Sequence, residues 1–597
     1  MCGIAGIWTT HKRGSIQHEL TAMTNALAHR GPDGEGSWYS EEGKLALGHR
    51  RLAIIDLSEN GAQPMQYQEK YVITFNGEIY NYLELRIELS SKGYAFNTSS
   101  DTEVLLAAYD HWGINCLTQF DGMFAFALYD IVKDELFCAR DRFGEKPFYY
   151  SFHEGSFYFS SEMKALWAAG VPRKPNMSLF YNYLALDLAE NPNDQRETFF
   201  SGIFKLKAAH YTLFSSNYTI EQKPYWVLST DSKLDISIEE AGRKLMALLE
   251  TSVERRLRSD VKVGTSLSGG LDSSTIVALV SKQQTDNHTF SARFPGFAKD
   301  EGQFINLVSS TFKTKHHDVI VDEHELLPEL DKLVYHQEEP FQTGSIFAQF
   351  AVYREARKND VIVMLDGQGA DEVLCGYDKD FQFYYRELVR SSGDRGTFIQ
   401  RIKENHNCNL NLSSKEHLRI KFPNLYLAMA KMRSATSKKV PLGINPDFHS
   451  SFAPKKSPFY DPDDLKSMLK HELTNQGLEK LLRFADRNSM AHSVEVRLPF
   501  LYHELIEFVF KLNSYLFLND GWSKAILRNG IRDTLPEPIV YRKDKVGFEA
   551  PHEKWTKANA FDKLYKDSKA ALMKEGLMTE QYNQRFKTII AAKYFNS

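Results

Sequence analysis

Two stretches of this chain carry side chains whose types and spacing could do chemistry. The first is "MCGIAGIW", with a thiol at position 2. A small residue after Met1 favours removal of the initiator, and Cys2 would then bear a free α-amine. Such an amine titrates near 8, so its neutral fraction can take the proton of its own thiol, and the thiolate is the nucleophile. The second stretch is "VGTSLSGGLDSST". It reads as a strand ending at Leu267, a tight turn at Ser268, Gly269 and Gly270, and a helix starting around Ser273. Glycines let backbone N–H groups come close to an anion, and a helix N-terminus adds about half a positive charge. With hydroxyls at Ser268, Ser273 and Ser274, the turn suits phosphate or pyrophosphate. Neither GxxxxGK[ST] nor GxGxxG is present, which disfavours a Walker loop or a dinucleotide site. Asp272 would repel phosphates unless a divalent cation lay between them.

Elements must hold these residues in place. With 597 residues the chain is too long for one core, and two or more domains are expected. The first two hundred residues alternate β-rich runs ("KLALGHRRLAIIDL", "YVITFNGEIYNY", "GMFAFALYD", "ELFCARDRF", "GSFYFSSE") with two helical patterns, "YLELRIELSSKG" and "DTEVLLAAYDHWG". That order predicts an α+β domain of layered sheets. The polar stretch "WVLSTDSKLDISIEEA" reads as a connection, giving domains at 1–210 and 236–597 with a linker at 211–235. Beyond it strand and helix alternate through "VKVGTSL", "SSTIVALVSKQQ", "HTFSARF", "DEGQFINLVSSTF", "HHDVIV", "SIFAQFAVYREARKN" and "DVIVMLDG", the pattern of a doubly wound parallel sheet, with helical additions from Tyr377 to about Lys480.

Bulk properties exclude several classes. A net charge of −4 gives no global field for nucleic acid or an anionic membrane. No apolar run of transmembrane length and no secretory signal is evident. The five cysteines (Cys2, Cys116, Cys138, Cys375 and Cys408) are scattered without a CxxC pair, so neither a disulfide framework nor a zinc site is expected, and a reducing cytoplasm fits.

The motifs resemble a known family. SGGLDSS is similar to the pyrophosphate loop of the ATP pyrophosphatases. "MCGIAGIW", "HRGPDG", "GHRRLAIID", "FNGEIYN", "SDTEVLLAAY", "DGMFAFALYD" and "SSEMKAL", in that order, resemble the glutaminase domain of N-terminal-nucleophile amidotransferases of the asparagine synthetase B family. The resemblance implies an αββα glutaminase sandwich ahead of the synthetase domain, and a soluble enzyme whose partners are glutamine, aspartate and ATP with Mg²⁺. A homodimer stays open. It implies that Cys2 attacks the glutamine side-chain amide and that the Asn76 side chain and Gly77 N–H hold the oxyanion. Arg51 would pair with the glutamine α-carboxylate, and Glu78 and Asp101 with its α-ammonium. In the second half it assigns Leu267 to Ser274, Phe294, Gly367 and Lys524 to ATP, Asp272 and Asp371 to the metal, and Lys545 in "KVGF" to charge neutralisation in the transition states. Ammonia would travel inside the protein from one site to the other.

One segment departs from the pattern. Where the family commonly reads SGEGSDE, this chain reads Asp366-Gly367-Gln368-Gly369-Ala370-Asp371-Glu372, and Cys375 replaces a glycine of "GGY". Gln368 cannot accept a proton as a carboxylate does, and Asp366 could restore the lost charge. The acceptor therefore stays open between aspartate and another acid, such as a sugar uronate or a peptide carboxylate. A non-enzymatic regulator is disfavoured by the intact Cys2, Asn76, Asp101 and SGGLDSS. An RNA-modifying pyrophosphatase is disfavoured by the charge and the glutaminase half.

Overall fold

The computed structural model describes residues 2–9, 16–215, 221–231, 233–391, 393–406, 419, 439–455, 458–543 and 549–595. Its first half is a pair of stacked six-stranded antiparallel sheets. One sheet runs in the order β10 (Ile203–Lys205), β8 (Tyr149–His153), β9 (Ser156–Ser160), β1 (Gly3–Thr9), β3 (Leu45–Arg51), β2 (Gly34–Tyr39). The other runs β12 (Lys223–Pro224), β11 (His210–Phe214), β7 (Glu135–Arg140), β6 (Gly122–Asp130), β5 (Tyr71–Ile79), β4 (Met65–Tyr67). Because side chains alternate along a strand, β1 sends Ile4 and Trp8 toward Val72, Ala125 and Ala127 of the facing sheet. Its Ala5 and Ile7 join the core that holds Leu20, Met23 and Leu27, on and just after the helix Ile16–Ala26. Gly6 must be glycine, since a Cβ there would lie 2.2 Å from the Phe159 ring. The helices Tyr82–Ser91 and Asp101–Trp112 cover the outer face of the second sheet. The expected αββα layering is therefore present.

The strand and helix runs read from sequence appear with small shifts at their ends. In the first half the helices Ile16–Ala26, Met163–Ala168 and Met177–Leu186 and the strands β2, β4, β8, β10, β11 and β12 were among the elements that went unread. β11 and β12 fall mostly in the stretch read as a connection, and "DISIEEA" runs into a long helix, Ile238–Arg256, started by Ser237, whose hydroxyl accepts from Glu240 N.

The second half is built on an all-parallel sheet in the order β15 (Lys315–Ile320), β14 (His288–Arg293), β13 (Val263–Ser266), β16 (Val363–Leu365), β17 (Glu495–Arg497). Strand order reverses on either side of β13. The crevice beyond the carboxyl ends of β13 and β16 is thus a switch point, the usual ligand position in doubly wound sheets. The turn after β13 is Leu267 to Gly270 and the turn after β16 is Asp366 to Gly369, so both quoted motifs open into that crevice. No helix among the described residues is long and apolar enough to cross a membrane.

The halves are joined by buried charge. Arg30, with no exposed surface, donates from Nη1 to Glu162 at 2.8 Å, and from Nη1 and Nη2 to both oxygens of Asp486 at 2.9 Å. Glu162 belongs to the first half, and Asp486 lies on the helix Leu478–Met490 of the second. Removing one partner of such a pair strands the other in low dielectric, at a cost of about 3–5 kcal/mol. Arg30→Met is accordingly expected to speed hydrogen exchange in the helix Leu478–Met490. Unchanged protection there would show that the pair does not hold the halves together.

Candidate active sites

The thiol site forms where β1 begins. Gly3 pairs with Arg50 in the antiparallel register, so the chain leads from Cys2 toward the end of β3 at Arg51, and the Cys2 thiol faces the Leu52 carbonyl at 4.0 Å. The Cys2 N–H donates to Asn76 Oδ1 at 3.0 Å, and the Cys2 carbonyl accepts from Arg30 Nε at 3.0 Å. Burial pushes the Cys2 thiol up, so it needs a base at hand before it can attack.

Asn76 lies in the middle of β5 and is fully buried. Its Oδ1 is used, while its Nδ2 has no hydrogen-bond partner among the described residues. A buried donor left open costs about 1–3 kcal/mol unless an acceptor arrives. Aimed at a reacting centre, it is what a developing oxyanion requires. The next residue, Gly77, passes against β6, where a Cβ would sit 2.1 Å from Met123 O.

Glu78 and Asp101 are both buried, and Asp101 Oδ2 accepts from Ile79 N at 2.9 Å. Burial raises the Asp101 carboxyl to about 6. Glu78 is raised well above its usual value by burial and by the nearby Asp101 and Glu495 carboxylates, which outweigh Arg497. Two carboxyls short of positive charge suit an incoming ammonium.

The neighbouring arginines separate cleanly. Arg51 is fixed by the carbonyls of Ser58, at 2.7 Å, and Asp56. Arg50 turns away to Glu35 at 2.5 Å and Asn25 at 2.6 Å. The structure thus brings together Cys2, Arg51, Asn76, Gly77, Glu78 and Asp101 from four separate segments.

The second site is a cavity of about 760 Å³ at the switch point, lined by Leu267, Ser268, Gly270, Leu271, Asp272, Ser273, Phe294, Gly367, Asp371 and Lys524, among others. Gly269 has φ +72, and a Cβ on it would press on Phe304 and Ile305 at 2.7 and 2.9 Å. The backbone there is therefore free to bend as an anion cradle. Ser273 Oγ faces Ser268 Oγ at 3.0 Å. Ser274 is buried on the helix Leu271–Gln283, behind the turn.

Lys524 is placed differently from the simple expectation of a phosphate contact. Its ammonium lies 2.5 Å from both Asp272 Oδ2 and Asp371 Oδ1. Burial opposes its charge, but the two carboxylates hold it above its ordinary value. Gly376 makes room for this bridge, since a Cβ there would sit 1.8 Å from Asp371 Oδ1. Two carboxylate oxygens converging on one cation also fit the donor set of Mg²⁺, which takes one or two carboxylates together with substrate phosphates. Lys545 lies outside the described residues, as does Cys408.

Several residues at these sites had no role assigned from sequence. Arg497 on β17 reaches across the domain boundary to within 3.7 Å of Glu78 Oε1 and bonds Glu495 at 2.6 Å. Arg30 and Asp486 stand behind Cys2, and Tyr353 donates to Asp366 at 2.7 Å. Arg30, Asp486, Glu495 and Arg497 lie in legible motifs ("HRGPDG", "DRNSMAH", "SVEVRLPFL"), but contacts such as Arg30–Asp486 and Arg497–Glu78, across hundreds of residues, leave no local signature.

A thiol at the mouth of a stacked-sheet sandwich, docked onto a phosphate turn at a parallel-sheet switch point, defines a glutamine amidotransferase fused to an ATP-using carbon–nitrogen ligase. Residues 1–226 match the family model of the glutamine amidotransferase domain, and residues 244–589 match that of asparagine synthase. The chain belongs to the asparagine synthase family. It is 31% identical over 616 residues to glutamine-hydrolyzing asparagine synthetase 3 of Bacillus subtilis (98% of this chain, 94% of the relative). It is 32% identical over 580 residues to asparagine synthetase 1 of the same organism (93% and 88%). It is also 28% identical over 627 residues to a Gibberella zeae protein named amidase chry2 (93% and 90%).

Proposed function

We propose that the protein converts aspartate to asparagine, using ammonia from glutamine and activating the acid as aspartyl-AMP, with AMP, pyrophosphate and glutamate as the other products. The observation that carries this reading is the open Asn76 Nδ2 beside Cys2, in a molecule whose second half presents a glycine-serine turn for phosphates.

With Met1 removed, the Cys2 amine takes the thiol proton. The thiolate attacks the glutamine amide, whose oxygen gathers charge at Asn76 Nδ2 and the Gly77 N–H. The Cys2 ammonium passes its proton to the departing nitrogen as the C–N bond breaks, ammonia leaves, and water releases glutamate from the thioester. Arg51 binds the glutamine α-carboxylate, and Glu78 and Asp101 its ammonium.

In the second half the Leu267–Ser274 turn holds the ATP phosphates, and Phe294 and Gly367 line their cavity. The acid's carboxylate displaces pyrophosphate, and ammonia then displaces AMP. Asp272 and Asp371 are the residues to hold Mg²⁺, which would neutralise phosphate charge there. Lys524 keeps the two carboxylates together, and Lys545 is assigned to the developing charge. The domains divide at a connection within 211–235.

A product screen by mass spectrometry with ATP, Mg²⁺, glutamine and a panel of carboxylates tests this. Asparagine should appear in step with AMP. Amidation of a sugar uronate or peptide acid with aspartate untouched would favour the second reading, which rests on Gln368 and Asp366 lining the acceptor side of the cavity.

A further inference from the structure

The cavity at the switch point is lined by five carboxylates, Asp272, Glu301, Asp366, Asp371 and Glu549. Four of them face a cation. Asp272 and Asp371 share Lys524, Glu301 meets Arg542 at 2.6 Å, and Glu549 meets Lys299 at 2.5 Å. Asp366 pairs with no cation among the described residues. It is 7% exposed; its Oδ2 accepts from the Tyr353 hydroxyl at 2.7 Å, and its buried Oδ1 has no hydrogen-bond partner among the described residues. Tyr353 is itself fully buried, so the carboxylate is held in one orientation. Asp366 N donates to Arg497 O at 3.0 Å on β17, the strand whose Arg497 side chain reaches the thiol site. The group therefore stands in the reaction cavity next to the strand that joins both centres. Burial keeps its carboxyl above the usual aspartate range, which brings a base closer to the working pH.

We propose that Asp366 is the general base of the amidation step, taking the proton that ammonia must lose; this rests on the reading of the cavity as an acyl-adenylate site. Ammonia adds to the acyl carbon, a C–N bond forms, and the carbonyl electron pair moves to oxygen. The nitrogen now carries a positive charge, and Asp366 accepts one of its protons. The oxyanion collapses, the bond from carbon to the phosphate oxygen breaks, and AMP leaves with that electron pair. Asp366 then releases its proton to solvent. The other cavity carboxylates are committed to cations, and Gln368, two residues further on, has no basic oxygen for the task.

The test uses the full chain with free ammonia as nitrogen source and whichever acid the wild-type protein amidates, so that a wrong acceptor is not mistaken for a wrong base. In a quenched first turnover, Asp366→Asn is expected to form pyrophosphate at the wild-type rate while amide formation falls on the order of 10²-fold or more. Hydroxylamine, whose adduct gives up its proton without help, should recover much of the rate, which a merely structural defect would not allow. Asp366→Ser is smaller than aspartate, cannot clash, and should behave alike. Glutamine hydrolysis in the same samples reports the fold. Amide formation within threefold of wild type, or loss of the pyrophosphate burst in a variant that still hydrolyses glutamine, would overturn the assignment.

Discussion

Cys2→Ala protein is expected to make its amide at the wild-type rate from free ammonia and to make none from glutamine. Deleting a catalytic nucleophile removes on the order of 10⁶-fold of the rate in well-studied hydrolases, so glutaminase activity should fall below detection. The change is small and local. The backbone N–H that meets Asn76 and the carbonyl that meets Arg30 are both retained in alanine. The second half should therefore keep its nitrogen acceptor chemistry. Parallel assays of glutamate release and of amide formation from ammonium salts decide the matter. Simultaneous loss of both activities would mean that the two centres are not divided as described. A related readout is the mass of the purified chain, because the α-amine can serve as base only where Met1 has gone.

The second large effect is expected at Asp272. Its carboxylate sits at the first turn of the helix Leu271–Gln283 and shares Lys524 with Asp371. In Asp272→Ala, Lys524 is left to Asp371 alone, and one of the two oxygens suited to Mg²⁺ disappears. Pyrophosphate release should drop on the order of 10²–10³-fold, as when a preorganised electrostatic partner is lost. Glutamine hydrolysis, whose residues lie in the first half, should persist. A Pi-coupled pyrophosphate assay beside a glutamate assay reads both. An unchanged pyrophosphate yield would remove Asp272 from the nucleotide site.

Much of this was legible because the chemistry is concentrated in short contiguous runs. SGGLDSS declares a turn before a helix by its glycines and hydroxyls, and the alternating runs of the first half declare sheets. That Arg50 turns away to Glu35 and Asn25 while Arg51 is held by the Ser58 and Asp56 carbonyls was not readable from composition, because it depends on the register of β3 and on the loop that follows it. The same limit applies to Lys524. Its place between Asp272 and Asp371 needs a tight backbone at Gly376, more than a hundred residues from either Asp272 or Lys524. Short strands such as β17 carry no periodic signal at three residues, yet β17 brings Glu495 and Arg497 to the domain boundary. Asp366 was visible as a departure from the family pattern, but that no cation pairs with it among the described residues could be learned only from the structure.

Arg30 links a peptide carbonyl at the nucleophile to a carboxylate in the other half, so the first half cannot be cut free at no cost. In an excised fragment of residues 1–226 the guanidinium would lose Asp486 and Glu78 would lose Arg497. Such a fragment should hydrolyse glutamine poorly. Under the proposed reading, efficient release of nitrogen from glutamine thus depends on the half that consumes it.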